Sequence, residues 1–333
     1  MENKARLDWL DSLAEKNIIT QNVDLEICSK MDMTWDILRT DLIHPVCSGN
    51  KFFKLKYYLT EALKKNKKTI VTYGGPWSNH LVATAFAAHS CGLNSIGYVR
   101  GEEPELYSPT LLECMKLGMK LIFLNREHYD AIKYSQENTD DALYIPQGGY
   151  GLNGMIGASE ILNYTNKNSY SHIISAVGSG TMFAGLYLSG LYESATVETK
   201  MQINVTDDSY RNPIPLRNHD FQLIGVTVHR DQEIKNEIEA LLSLRNLKLH
   251  QDIQLYEDEM GGFAKFNKEV IAFMNSFYQK TMIPTDFVYT GRLMKWIYEA
   301  IAAGKFPKGS KILAIHSGGL QGNISLKPKS LLF

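Results

Sequence analysis

The sequence predicts an α/β protein built on mostly parallel strands, and three observations carry that prediction. Several segments repeat one grammar, in which a short β-rich run meets a glycine-rich turn and then a helix-like amphipathic stretch. Hydrophobic residues make up 44% of the 333-residue chain, enough to core two modest domains or one large one. No internal repeat or low-complexity tract interrupts the pattern.

In chain order, the first element is the apolar-periodic, basic stretch KFFKLKYYLTEALKKNKK, which reads as a helix opening directly after Ser48, Gly49 and Asn50. The clearest strand, turn and helix unit is TIVTYGGPWSNHLVATAFAAHSCGL, from Thr69 to Leu93. SIGYVRG and KLIFLN, beginning at Ser95 and Lys120, read as further strands, with SPTLLECMKLGM as the crossover helix between them. His172 to Leu191, HIISAVGSGTMFAGLYLSGL, is a second full unit, in which an apolar strand reaches Gly178 and Gly180 before a helix. Residues 192–221 turn polar and read as a surface insertion. The strand FQLIGVTVH then resumes the core pattern, followed by the helical segment DQEIKNEIEALLSLRNL and, at Lys311 to Gly319, the closing strand KILAIHSGG.

Composition narrows the function classes. Thirty-five basic against thirty-six acidic residues give a formal net charge of -1, without the basic excess of a nucleic-acid surface, so any charged ligand must be held by local groups. The four cysteines, Cys28, Cys47, Cys91 and Cys114, form no C-x-x-C pair and no metal-like cluster with histidine. Reduced thiols and a cytoplasmic setting are expected, with no metal. The segment MENKARLDWLDSLAEK lacks an apolar signal region, and no run reaches the roughly 18 apolar residues of a membrane span. Neither secretion nor a membrane partner is expected.

Strand ends in parallel sheets are where ligands bind, because helix N-termini offer unpaired N–H groups and a positive dipole end. Val177 to Gly185, VGSGTMFAG, falls short of a dinucleotide fingerprint because Phe183 stands where the third glycine belongs, and no G-K-S or G-K-T follows any glycine turn. What the stretch offers is a phosphate cradle of backbone amides from Gly178 to Met182, with the Ser179 and Thr181 hydroxyls nearby; a tight turn without ligand is the alternative. In GGPWSNH, Ser78, Asn79 and His80 lie at a helix start that suits a carboxylate, while Ser78 or Asn79 as a plain N-cap, and His80 as a packed histidine, are the bland readings. Lys51 stands among many helical lysines, most of them solvated by default. A lysine desolvated near other cations or dipoles, however, becomes a nucleophile toward carbonyls and forms a Schiff base.

Taken in order, SGNKFFKL, GGPWSNH, IPQGGYGLNG, GSGTMFAG, YTGR and HSGG resemble the pyridoxal-phosphate enzymes of the 1-aminocyclopropane-1-carboxylate deaminase and D-cysteine desulfhydrase family, within the tryptophan-synthase-β-like fold type II. The resemblance runs from about Leu38 to the end. It implies two domains, each a mostly parallel twisted sheet flanked by helices: a large cofactor-binding domain of residues 1–52 and 166–333, and a small one of residues 53–165. It also implies pyridoxal 5'-phosphate as cofactor, a small amino acid as substrate, and a homodimer. By the same resemblance Lys51 is the lysine that holds the cofactor, Asn50 lines the pocket, and Asn79 bonds the cofactor's phenolic oxygen. Gly178, Ser179, Gly180 and Thr181 match the phosphate loop. Ser78, Asn79 and His80 fall near the substrate carboxylate, Ser78 is a proton-transfer candidate, and Tyr289 flanks ring or substrate.

Departures from the family pattern shape the expected activity. Where the deaminase branch has a glutamate after the tyrosine matched by Tyr289, and a leucine in the HSGG-like motif, this chain has Thr290 and Ser317, as in the desulfhydrase branch. A carboxylate keeps the ring nitrogen protonated and strengthens the electron sink; two hydroxyls leave it nearer neutral, which suits β-elimination better than ring opening. Phe263 replaces a tyrosine expected in GGFAKF, and bulk is added to the phosphate loop at Met182 and Phe183. The expected reaction is therefore β-elimination from D-cysteine to pyruvate, ammonia and sulfide. The alternatives are the deaminase reaction, giving 2-oxobutanoate and ammonia, a non-catalytic binding protein on the same fold, and, more distantly, a nicotinamide dehydrogenase.

Overall fold

The structure is a computed structural model that describes residues 8, 12–135, 139–191, 221–227, 233–249, 254–257 and 266–333. Phe263 and all of the expected insertion except Phe221 lie outside the described residues. Among the described residues ten strands, β1 (Thr20–Asn22), β2 (Thr34–Leu38), β3 (Thr69–Gly74), β4 (Asn94–Arg100), β5 (Met119–Leu124), β6 (Ala142–Ile145), β7 (His172–Val177), β8 (Gln222–Thr227), β9 (Gln254–Glu257) and β10 (Lys311–Ile315), make two sheets. One is six-stranded, in the order β1-β2-β10-β7-β8-β9, and the other four-stranded, β5-β4-β3-β6. Every pairing is parallel except β1 with β2. The α/β reading with parallel strands is what the chain adopts.

The helices among the described residues are α1 (Glu26–Lys30), α2 (Gly49–Lys64), α3 (Asn79–Ser90), α4 (Pro109–Lys116), α5 (Arg126–Ile132), α6 (Leu152–Ser159), α7 (Thr181–Leu191), α8 (Ile234–Ser243), α9 (Lys268–Thr281) and α10 (Thr290–Ala302). Local chemistry sets their starts: Ser108 caps α4 by accepting the Leu111 N–H with Pro109 in the first helical position, and Asn267 caps α9 through the N–H groups of Glu269 and Val270. The central strand β7 is buried at all six residues, which is why its sequence, HIISAV, is mostly apolar and does not alternate. β1, β2, β6 and β9 escape a reading by periodicity. They are three to five residues long, and β2 carries Thr34 and Asp36 within its run.

Glycines let three helices stack closely behind the site. A Cβ at Gly157 of α6 would fall 2.0 Å from the Phe53 carbonyl oxygen of α2, and one at Gly185 of α7 would fall 2.6 Å from Met155 O and Ala158 Cβ of α6. The stack buries Phe53, Leu55, Met155, Ala158, Phe183 and Leu186 in one core, where each large apolar side chain contributes roughly 1.5–3 kcal/mol. Met182 and Phe183 belong to that core, with Phe183 packed on Gly225 of β8, so the added bulk of the glycine turn is taken up by the interior. Helix α2 runs unbroken across residues 52 and 53, so the expected domain boundary falls inside a helix.

Candidate active site

Helix α2 starts against the loop that follows β10. Gly49 has φ +58°, and a Cβ there would sit 1.9 Å from the Ser317 carbonyl oxygen, while the Asn50 N–H donates to that same oxygen at 3.2 Å. This contact fixes the first turn and with it Lys51, whose Nζ donates to Asn50 Oδ1 at 3.0 Å. Burial pushes the Lys51 amine down to about 8, with the Asp286 carboxylate pulling the other way. Nearby Cys47 is pushed up to about 12 by burial and stays an unreactive thiol.

One turn along α2 stands a residue that sequence reasoning had placed on the solvated face. Lys54 is 2% exposed; its Nζ donates to the Gly148 carbonyl at 3.1 Å, and burial together with the Lys51 charge holds it well below the usual lysine range. Two mutually repelling buried amines on one helix face call for an anion. The spacing of Gly151, Gly154 and Gly157 was the available signal, because small residues every third position bring α6 close enough to cover Lys54.

The anion's seat lies at the β7–α7 turn. Gly178, Ser179 and Gly180 lead into α7 with Gly180 at φ +74°, and the first N–H groups of α7 have no intrahelical acceptor. Ser179 Oγ and Thr181 Oγ1 are 3.1 Å apart. A Cβ at Gly148 would approach Ser179 Oγ to 3.9 Å, which brings the carbonyl that binds Lys54 beside this cradle. Gly178 packs on Tyr289: its Cβ position is 3.2 Å from Tyr289 Cε1 and 3.5 Å from the phenol oxygen. Burial and the Asp286 charge push the Tyr289 phenol up, which keeps its proton in place.

At the other end, Ser78 caps α3 by accepting the Leu81 N–H at 3.2 Å, the bland role its residue type allows. Asn79 Nδ2 donates to the Gly319 carbonyl at 3.3 Å, and its Oδ1 is buried without a hydrogen-bond partner. His80 departs from expectation. The Thr72 hydroxyl donates to Ile145 O at 2.9 Å, so His80 Nε2, 2.9 Å from that hydroxyl, is the donor to it. Nδ1 then carries a lone pair, buried and unpartnered, and burial with the charges of Lys51 and Lys54 holds the ring well below its usual range. A neutral ring presenting a lone pair at Nδ1 repels a carboxylate, against the carboxylate role expected of this side chain; the donors left at this helix start are the Ser78 hydroxyl and the N–H groups of the first turn of α3.

Sequence reasoning also missed Asp286, a carboxylate 1% exposed. Its Oδ2 accepts the N–H groups of Val288 (3.0 Å) and Tyr289 (2.9 Å), and its Oδ1 accepts the Thr290 N–H (2.9 Å) and hydroxyl (2.6 Å). Thr290, expected to offer a hydroxyl to the cofactor, is fully buried with that hydroxyl committed to Asp286. Ser317 keeps 8% of its surface.

Lys51, Lys54, the glycine cradle and the unpartnered Asn79 Oδ1 together fit a phosphorylated aldehyde. The sequence family described as pyridoxal-phosphate dependent enzyme matches residues 37–318. The chain belongs to that family. Its cofactor is pyridoxal phosphate, and its fold is the type II α/β arrangement. Among relatives of this pyridoxal-phosphate-dependent enzyme, the bifunctional D-cysteine desulfhydrase/1-aminocyclopropane-1-carboxylate deaminase of Arabidopsis thaliana is 29% identical over 310-odd positions, 313 in all, covering 86% of this chain and 72% of that one. The D-cysteine desulfhydrase of Klebsiella pneumoniae is 26% identical over 310 residues, covering 85% and 86%. A solved structure of an ACC deaminase homologue superposes with a TM-score of 0.72 at 23% identity, covering 96% of each chain.

With its amine on the Gly148 carbonyl, beside the glycine turn, Lys54 is expected to hold the phosphate end of the cofactor. Lys54→Met is expected to weaken pyridoxal phosphate binding roughly tenfold, the size of one charge-assisted hydrogen bond, and to leave binding of unphosphorylated pyridoxal unchanged. Absorbance titration of cofactor-free protein with each ligand checks this. The melting temperature should hold or rise, because the variant removes a buried charge.

Proposed function

We propose that this enzyme is a lyase acting on a small amino acid, with β-elimination from D-cysteine as the leading reaction. The observation that supports the reading is that the fold brings together a desolvated lysine, a glycine turn at a helix start and the Ser78-capped head of α3. The bound cofactor would supply an aldehyde for the substrate amine and a ring that withdraws electrons from the α-carbon. The chain supplies the rest. The N–H groups at the start of α3 and the Ser78 hydroxyl hold the substrate carboxylate, which orients the α C–H bond. Lys51, with its amine near 8, takes the α proton, and Ser78, at the head of α3, is the second group able to relay it. The electron pair of the broken C–H bond expels thiolate from the β-carbon. With one water the products are pyruvate, ammonia and sulfide.

The names of the relatives, D-cysteine desulfhydrase and 1-aminocyclopropane-1-carboxylate deaminase, support a lyase of this class. A second reading, ring opening of 1-aminocyclopropane-1-carboxylate, is favoured by Asp286, since it places a buried carboxylate behind Thr290 where sequence alone offered only hydroxyls. Sulfide and pyruvate release is expected from D-cysteine, with little from L-cysteine. Turnover of the cyclopropane amino acid alone, measured as 2-oxobutanoate, would reverse the ranking.

A further inference from the structure

The histidine of the HSGG motif has no part in the site described so far, yet it holds the loop against which α2 begins. His316 is fully buried. Its backbone is fixed at both ends, since its N–H donates to Leu38 O at 3.1 Å and its carbonyl accepts the Thr40 hydroxyl at 2.5 Å. Its ring closes a tight turn, in which the Gly318 N–H donates to Nδ1 at 3.3 Å. On the far side Nε2 stands 2.8 Å from Pro284 O, and because a carbonyl can only accept, Nε2 carries a hydrogen. This turn is the seat of Lys51. A Cβ at Gly318 would lie 2.8 Å from Ser48 Oγ and 3.2 Å from Gly49 N, and the Asn50 N–H donates to Ser317 O inside the same turn.

A second neighbour of Nδ1 makes the opposite demand. Asp41 Oδ1 lies 3.4 Å from it, and that buried carboxylate is held in place by Arg39 through Nε and Nη2, both at 2.8 Å. A bare Nδ1 accepts from Gly318 and shows Asp41 a lone pair; a protonated Nδ1 donates to Asp41 and shows the Gly318 N–H a hydrogen. One nitrogen cannot serve both. The ring's proton decides between them, because a hydrogen bond to a carboxylate is roughly twice as strong as one between neutral groups. Among the described residues, the charged groups facing the ring are Asp41 and Arg39 from the segment after β2, and Asp286 from the segment before α10.

We infer that His316 is a positioning residue for Lys51: as a neutral ring it clamps Gly318 and with it the first turn of α2, and on taking up a proton it donates to Asp41 instead and lets that turn go. The inference rests on the reading of Lys51 as the lysine that holds the cofactor. It makes the pocket sensitive to acid through a group that touches neither cofactor nor substrate.

The test follows ring and turn separately in cofactor-free protein across about pH 5 to 8, the range in which imidazoles ordinarily take up a proton. In ¹⁵N spectra of protein labelled in its histidine rings, with His316 assigned through its ring proton's contact with the Gly318 amide, Nδ1 should be bare and Nε2 protonated at the upper end. Both should be protonated at the lower. Hydrogen exchange at the Gly318 and Asn50 amides, corrected for the pH dependence of exchange itself, should quicken roughly tenfold in step with that change, the loss of one buried hydrogen bond. In loaded protein, pyridoxal phosphate should dissociate faster over the same range. His316→Asn sets an amide oxygen near the place of Nδ1, an acceptor that acid does not turn into a donor, so its two amides should stay protected and its cofactor release should lose the acid dependence. Asp41→Asn removes the anion that favours the proton and should move the wild-type transition to lower pH. A ring that stays neutral throughout, or one that takes up a proton while both amides keep their protection, would reduce His316 to a packed core residue and overturn the proposal. So would an acid-dependent release that His316→Asn leaves intact. The first two outcomes are read on wild type, so they decide the matter if His316→Asn fails to fold. Borohydride fixing the cofactor to another lysine would overturn the site reading instead, by a measurement in which His316 takes no part.

Discussion

Lys51→Ala should abolish turnover, with kcat lower by at least about 10³-fold, because on the proposed mechanism the variant removes both the covalent anchor and the base for the α proton. Borohydride treatment of the loaded wild type should fix the cofactor's mass to the peptide containing Lys51, and the variant should carry none. The fold should survive. Trading a buried amine for a methyl group removes a desolvated charge whose supports include the Asn50 amide oxygen and the Asp286 carboxylate. The pH dependence of the cofactor-free protein gives a second measurement. Only the unprotonated amine attacks an aldehyde, so trapping at Lys51 should rise roughly tenfold per pH unit below about 8 and level off above it. Because Asp286 holds that value up, Asp286→Asn should move the inflection to lower pH. Trapping at another lysine, or a profile that climbs unchanged to pH 10, would unseat Lys51.

Lys51 was legible because a helix start after Ser48-Gly49-Asn50 is a local feature, and so were the two glycine turns, whose strands and helices follow from apolar runs and caps a few residues apart. Lys54 was not legible. Its burial is decided by α6, almost a hundred residues further on, whose glycines bring Gly148 O within 3.1 Å of its amine. Lys56, on the same helix, is taken up by Glu160 at 2.8 Å in the same long-range way. His80 was misassigned for a related reason. Its ring is oriented by Thr72 on β3, and Thr72 in turn by Ile145 on β6, a chain of contacts across a sheet whose register no periodicity reveals. Asp286 had a sequence signal, an acidic residue four before Thr290 at a helix start, but the carboxylate was sought at Thr290 itself. A hydroxyl hydrogen-bonded to a buried carboxylate looks, from sequence, like a site that lacks one.

Gly49→Ala should be the most damaging single methyl group near the pocket. Two costs combine there: a left-handed backbone, of order 1–2 kcal/mol for a residue with a Cβ, and a Cβ 1.9 Å from a backbone carbonyl oxygen, which no rotamer change can relieve. Overpacking of that kind costs typically 1–3 kcal/mol, so the total is about 2–5 kcal/mol. Gly118→Ala separates the two, since Gly118 also has positive φ, +84°, but a Cβ there meets nothing within 4 Å. Thermal melting should show the Gly118 variant losing only the backbone cost, with cofactor affinity unchanged. The Gly49 variant should melt well below it. It should also bind pyridoxal phosphate poorly at temperatures where it remains folded, because relieving the clash means parting the first turn of α2 from Ser317, and that turn carries Asn50 and Lys51. If both variants melt alike and bind cofactor alike, the contact between Gly49 and Ser317 is not what sets the lysine in place.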